Sequence, residues 1–429
     1  MIRRVSFSLL LLASLLSSPA AAQVASVIAV PPLATPDRGS GPDSPAQIAW
    51  QASQLIASDL RTTAELMPLD PDQKDFYSYP EVTAPTFSKW KSRAKLLLTG
   101  FVRSRSDGRL AVGCYVYDVT KGRELDRVGF VFAPENWRRA AHKCSGLAYT
   151  AATGAPGIFD TRIAYVAESG PATSRIKRIA VMDSDGIDHK YLTAGDSIVL
   201  TPRLSPKGDR VAFVSFVGGQ PHVLVADVAS GQAAPLLPGN VTSFAPSFSP
   251  DGNRIVFSMQ IGINTDIYVA DSRGGTAQRL TSAPGIDTSP SFSPDGSRIL
   301  FESDRSGAQQ LYVMNSDGSA QRRVSFGGGW YAAPQWSPDG EWVAFVRRVP
   351  GAGRRIGVMK ADGTGERLLT NGPYDEGASW APSSRELIYQ STDAAGRSGL
   401  YRISLDGSQP RKVTTPQDAS DPDWSGVID

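Results

Sequence analysis

A motif that returns every 44 residues constrains this chain more than anything else in it. Pro202, Pro246, Pro290, Pro334, Ala378 and Pro422 keep that step, and two residues after each stands Leu204, Phe248, Phe292, Trp336, Trp380 or Trp424. A second series, Phe213, Phe257, Phe301, Phe345 and Tyr389, keeps the same interval, with Tyr165 lying 48 residues before Phe213. A period in the forties made of short alternating segments fits propeller blades, whereas helical repeats of that length carry a 3.6-residue apolar periodicity that is absent here.

In the copy around Pro290, residues 291–293 read as an inner strand, Pro294-Asp295-Gly296-Ser297 as a turn, 299–303 and 311–315 as two further strands, and 322–325 as the outer edge. The turn chemistry supports the reversal, since proline presets φ and glycine accepts positive φ. The four extra residues behind the 48-residue step fall in one longer connection, 168–177. The first copy has no inner strand of its own, and Pro422-Asp423-Trp424-Ser425 has no blade after it. Pairing that last strand beside 162–166 closes a six-bladed ring and removes two exposed sheet edges.

Upstream of the repeats the pattern changes. Residues 1–22 read as a secretory signal: Arg3 and Arg4, an apolar run from Val5 to Leu16, and Ala20-Ala21-Ala22 as a cleavage site. That run is too short to span a bilayer, and no cysteine follows it to carry a lipid, so a periplasmic product without a membrane span is expected. Residues 23–158 read as a small α/β domain and 159–429 as the propeller, giving a multidomain α/β plus all-β chain. In the small domain Ser44-Pro45-Ala46-Gln47 opens a helix, as cap, first-turn proline and N3 glutamine. Ile48, Ala52, Leu55, Ile56 and Leu60 give it one apolar face, to pack on strands at 95–103, 110–119 and 124–131. A second helix, 136–153, stops at Gly154, and Gly154-Ala155-Pro156-Gly157 is the interdomain connection.

The chemistry-bearing residues are sparse. Three histidines, His142, His189 and His222, are spread over a helix and two blades, and no nucleophile elbow, zinc-protease helix, phosphate loop or dinucleotide fingerprint occurs. No enzyme, cofactor or metal is expected on that ground. The recurrent Asp of the Ser-Pro-Asp-Gly turns reads as a cap on its own turn rather than a calcium ligand. His142 reads as a packed interdomain residue. Cys114 and Cys144, the two cysteines of the chain, both point to the sheet–helix interface and are a candidate disulfide, paired or free. A net charge of +2 with 20% charged residues gives no sign of a nucleic-acid partner.

In a four-stranded blade, the loop into the next inner strand lies on the same face as the loop between the second and third strands. Those loops, 240–245, 285–289, 329–333, 374–377 and 419–421, should ring one mouth and bring together Asp287, Thr288, Trp330, Tyr331, Tyr374, Asp375, Glu376 and Asp421. The mouth reads as acidic and aromatic, suited to a folded partner with basic groups.

A small α/β domain followed by six Pro-Asp-Gly blades resembles the TolB family of the bacterial Tol–Pal envelope system. The specific matches are Ala141-His142 and the run from Ala152-Thr153-Gly154-Ala155-Pro156-Gly157 through Ile158-Phe159-Asp160-Thr161-Arg162 to Val166. The resemblance implies a non-enzymatic, monomeric periplasmic scaffold that binds the lipoprotein Pal at the mouth and TolA through the N-terminal region, supporting outer-membrane integrity and envelope constriction in cell division. It carries the Pal contacts onto Thr242, Ala245 and Thr288, with Thr242 standing where the family has a histidine. Only Gln23-Val24-Ala25-Ser26 stands where the family places a longer TolA-binding peptide. The rival classes are a propeller lyase, which needs clustered ligand histidines, and a sugar- or peptidoglycan-binding propeller, for which Trp330, Tyr331 and Tyr374 would be stacking platforms.

Overall fold

The computed structural model describes residues 25–428 except 38, 40, 42, 352 and 409, so the expected signal segment 1–22 lies outside the described residues. The small domain runs β1 (Ser26–Ala29), α1 (Pro45–Arg61), β2 (Leu66–Leu69), β3 (Leu96–Ser104), β4 (Leu110–Asp118), β5 (Arg123–Phe132) and α2 (Trp137–Thr153). Its sheet has the order β2-β1-β3-β4-β5, with β1 parallel to both neighbours. Sequence reading misses β2 because the segment is four residues long, contains Pro68 and lies at a sheet edge, where no alternating pattern is imposed. Ser44 caps α1 by accepting the Gln47 amide at 3.3 Å, and Gly154 ends α2 at φ 73°. The second helix starts one residue later than expected, after a short 3₁₀ turn at Pro134–Asn136. Cys114 on β4 and Cys144 on α2, both fully buried, are joined by a disulfide.

The rest of the chain forms six four-stranded sheets. Blade 1 is Arg162–Ser169, Ile176–Asp183 and Lys190–Tyr191, with Asp418–Trp424 as its inner strand, antiparallel to Arg162–Ser169. The ring is therefore closed by the C-terminal strand, and Trp424, 5% exposed, donates its indole N–H to Thr161 Oγ1 at 2.8 Å. Tyr165, Phe213, Phe257, Phe301, Phe345 and Tyr389 are all buried between sheets. Arginines fasten successive blades. Arg210 lies over Phe248 at 5.3 Å, Arg254 over Phe292 at 5.3 Å and Arg298 over Trp336 at 4.7 Å. The turn aspartates cap their own turns: Asp295 Oδ1 accepts Ser293 Oγ at 2.5 Å and the Ser297 amide at 3.1 Å, bonds that hold its carboxyl down at about 2.

One feature of the inner strands departs from the sequence reading. They are Ser243–Phe248, Asp287–Phe292, Trp330–Trp336, Asp375–Trp380 and Asp418–Trp424, so each begins within or beside the segment expected to be a mouth loop. Thr201, Ala245, Ser289, Ala333, Gly377 and Asp421, again 44 residues apart, all take φ between 46° and 61°. Each sits one residue before Pro202, Pro246, Pro290, Pro334, Ala378 or Pro422, and the register with the second strand slips there. Five of the six following residues are prolines without an amide to donate, and a bulge lets the strand resume on the upstream side.

The small domain sits on the face opposite that mouth, against turns of blades 1 and 6. One apolar core runs from Ile56, Ala141 and Ala148 through Ile158 and Phe159 to Ile163, Ile388 and Val413. Polar contacts complete the contact: Arg385 reaches Glu65 at 3.1 Å and the Thr153 carbonyl at 3.2 Å, and Lys143 donates to the Ile428 carbonyl at 2.9 Å.

Candidate functional site: the propeller mouth

The bulged strands set which mouth residues reach solvent. Trp330 at 45% and Tyr374 at 52% are exposed. Tyr331, expected beside them as an aromatic of the rim, is fully buried, and its hydroxyl donates to Glu366 Oε2 at 2.7 Å. The correction follows from strand alternation: Tyr331 lies inside Trp330–Trp336 next to Trp330, so the two side chains point to opposite faces, and Tyr331 packs on Phe345 at 5.2 Å. Thr288 is 8% exposed and its Oγ1 accepts Ser258 Oγ at 3.1 Å, while Ala245 is the half-buried left-handed residue of its own bulge. Thr242 is half-buried, its hydroxyl 3.4 Å from Gln220 Oε1.

The expected ring of open carboxylates is also corrected. Asp287, 1% exposed, accepts Arg305 at 2.6 Å, and Glu376 accepts Arg354 at 2.5 Å. Asp375 is buried with Oδ2 taking the Gly372 amide at 3.0 Å, and Asp421 Oδ2 takes the Thr201 amide at 3.1 Å. Each carboxylate is therefore neutralised by a hairpin arginine or spent on a backbone amide, because an unpaired buried charge is far costlier than a paired one. Beside them the surface carries arginines lying on aromatic faces. The exposed Arg348 stacks on Trp330 at 4.5 Å, and Arg323 lies over Phe326 at 5.4 Å.

Further residues of this face escaped the sequence reading, among them Ile261 at 59%, Ile263 at 95%, Ile286 at 46%, Phe326 at 72% and, on the loop entering the inner strand Val199–Leu204, Ile198 at 54% exposed. Ile261-Gly262-Ile263-Asn264 spans the tip of one hairpin between second and third strands, and Ile286 and Phe326 lie in loops entering inner strands. An apolar pair flanking a turn glycine is the signal that would have found the first two. Ile261, Ile263, Ile286 and Phe326, together with Trp330 and Tyr374, make an exposed apolar arc along blades 3 to 6.

Behind this wall lies one unusual acid. Glu302 is 5% exposed, and its oxygens accept the Ser289 hydroxyl at 3.2 Å and the Ala333 amide at 3.1 Å. Among the described residues no cation pairs with it, and burial pushes its carboxyl up to about 7. Two repeats on, Gln390 Oε1 accepts the Asp421 amide at 2.6 Å in the same slot.

His189 sits by Tyr191 at 4.7 Å in blade 1, whereas His142, on α2 of the small domain, has its two ring nitrogens 2.8 Å from Asp59 and 3.5 Å from Asp185. Among the described residues no helix is long and apolar enough to cross a membrane.

These features define a closed six-bladed propeller with an α/β domain on one face and an apolar, arginine-bearing arc on the other. The comparisons with known proteins then fix the family. The TolB beta propeller domain matches residues 149–428 and the TolB amino-terminal domain matches residues 20–125. The chain is 55% identical to the Tol-Pal system protein TolB of Zymomonas mobilis subsp. mobilis over 94% of its length and 88% of that protein's. It is 52% identical to the Tol-Pal system protein TolB of Rhizorhabdus wittichii over 99% of both chains. The crystal structure of TolB from Acinetobacter baumannii superposes with a TM-score of 0.78 at 26% identity, covering 94% of this chain and 97% of that one. The chain belongs to the TolB family.

Proposed function

We propose that this protein is the periplasmic scaffold of a Tol–Pal system, non-enzymatic, binding the lipoprotein Pal at the propeller mouth and TolA through its N-terminal region, and supporting outer-membrane integrity and constriction at division. Family membership supplies the system. The observation that carries the mouth assignment is the arc of Ile263, Ile286, Phe326, Trp330 and Tyr374, exposed on the face that the small domain leaves open. Large exposed apolar side chains interleaved with arginine are the residues that dominate protein–protein binding energy, and they are costly to leave in water without a partner. The partner chemistry suited to this rim is apolar with acidic groups, since Arg348 lies over the Trp330 face and Asp287 and Glu376 are already paired with arginines. Thr242, Ala245 and Thr288 act as the wall of this site, Thr288 and Ala245 through the backbone shape of their bulged strands.

The test is calorimetry with the organism's own Pal. Trp330→Ala should weaken binding by at least about 2 kcal/mol, roughly thirtyfold, with an unchanged melting temperature. Undiminished affinity in both Trp330→Ala and Tyr374→Ala removes the mouth as the Pal site.

A further inference from the structure

The one fully buried histidine of the described residues lies where the two domains meet. His142, 2% exposed, projects from α2 between a carboxylate of each domain. Its Nδ1 is 2.8 Å from Asp59 Oδ2 on α1, and its Nε2 is 3.5 Å from Asp185 Oδ2, on the turn that follows Ile176–Asp183 of blade 1. Asp59 Oδ2 also accepts the Ser145 hydroxyl at 2.7 Å, and Asp185 accepts Arg138 of α2. His142 Nε2 and Arg138 Nε have no hydrogen-bond partner, although both atoms are buried. The group borders an open interdomain cleft of about 480 Å³ lined by Leu55, Asp59, Phe159, Asp185 and Val413.

We propose that His142 is a protonation-controlled latch between the two domains, tying Asp59 of the small domain to Asp185 of blade 1 while it carries a proton and releasing the blade when it loses it. The argument is charge balance around a buried imidazole, 2% exposed. With the imidazole protonated, two cations, His142 and Arg138, face two carboxylates, Asp59 and Asp185. Deprotonation leaves a net negative charge and turns one ring nitrogen into an acceptor. If the Nδ1–H stays on Asp59, that acceptor is Nε2, aimed at the Asp185 carboxylate, and the contact becomes repulsive. A third acid enlarges the effect. Asp183, at the end of the same blade strand, is pushed up to about 6 by burial and by Asp188, so above that pH it adds a further negative charge.

The other cations of the cleft are engaged elsewhere, Arg61 with Asp70 and Arg402 and Arg411 with Glu386, while Lys412 lines it and Arg162 draws the Asp183 carboxyl down in part. On the sheet side β4 and β5 contribute Val112, Val116, Val128 and Phe130 to the core shared with α2. Burial alone would depress the imidazole, but its hydrogen bond to Asp59 and the charges of Asp59 and Asp185 outweigh that and hold it above its usual range. Burial likewise raises Asp59, against the donors His142 and Ser145. The sign follows: a histidine raised in the folded state contributes its full coupling below its ordinary value near 6.5 and loses it as pH rises through the raised one. The domains should thus be firmly joined in mildly acidic conditions and looser under alkaline ones.

The experiment uses the full chain. Proton NMR titration of its three histidines, with His142→Gln to assign the resonance, should place His142 above the ordinary value. Asp185→Asn, a change on an exposed turn that leaves the core intact, should lower it by about one unit, a tenfold change in proton affinity. Hydrogen exchange, corrected for intrinsic rates, should rise about tenfold around 184–188 between pH 6 and pH 8.5 in the wild type, and stay flat in Asp185→Asn and His142→Gln. Titration of His142 at or below 6.5 overturns the latch, as does interface exchange that is equally pH-independent in wild type and variants.

Discussion

Replacing Glu302 by glutamine should stabilise the propeller at alkaline pH and leave it almost unchanged in acid. In the folded chain the carboxyl titrates at about 7 because it is 5% exposed and has two hydrogen-bond donors but no cation. In the unfolded chain it titrates near 4.3. Below that pH both states are protonated and the group is neutral to stability. As pH rises through the interval the unfolded chain releases a proton that the folded chain retains, so stability falls until about pH 7 and is level beyond it. Between two and three units at about 1.4 kcal/mol each put the loss at about 3–4 kcal/mol. Glutamine keeps the shape: its carbonyl oxygen accepts the Ala333 amide as Gln390 accepts that of Asp421, and its amide can donate to the Ser289 hydroxyl. For a chain of this size that gain corresponds to roughly 3–5 °C in melting temperature at pH 8.5 and close to none at pH 4. Thermal unfolding followed by circular dichroism at several pH values between 4 and 8.5 reads the difference between variant and wild type, in which every other titrating group cancels. A difference that does not change with pH refutes the reasoning, since a glutamine effect through packing alone has no reason to follow a proton.

Two further outcomes test the frame around that wall. Trp424→Ala should cost about 3–5 kcal/mol and lower the melting of the whole ring, because it opens a cavity at the strand that closes it and removes the indole bond to Thr161; an unchanged melting temperature would show the ring held without it. Unreduced, denatured protein should yield no free thiol, and Cys144→Ala should destabilise the small domain by about 2–4 kcal/mol, whereas two reactive thiols would contradict the bond between α2 and β4.

The repeat made the architecture legible before any coordinate. Turn prolines and glycines, a buried aromatic at a constant offset and an orphan strand motif at 422–425 are local signals, and each specifies the same four-stranded unit, so they reinforce one another along the sequence. The apolar face of α1 and its Ser44 cap were legible for the same reason: a helix states its burial in its own periodicity. Only the tertiary structure decided the surface. Whether Asp287 and Glu376 are open acids depended on arginines in neighbouring hairpins, and whether Tyr331 or Trp330 meets water depended on a bulge that extends each inner strand and resets which side chains face the channel. His142 carried no sign in sequence of its two carboxylates, because Asp59 comes from another helix and Asp185 from another domain. Local chemistry fixes turns and periodicity. Charge state and exposure are fixed by neighbours brought together from distant parts of the chain, and no short window of sequence contains them.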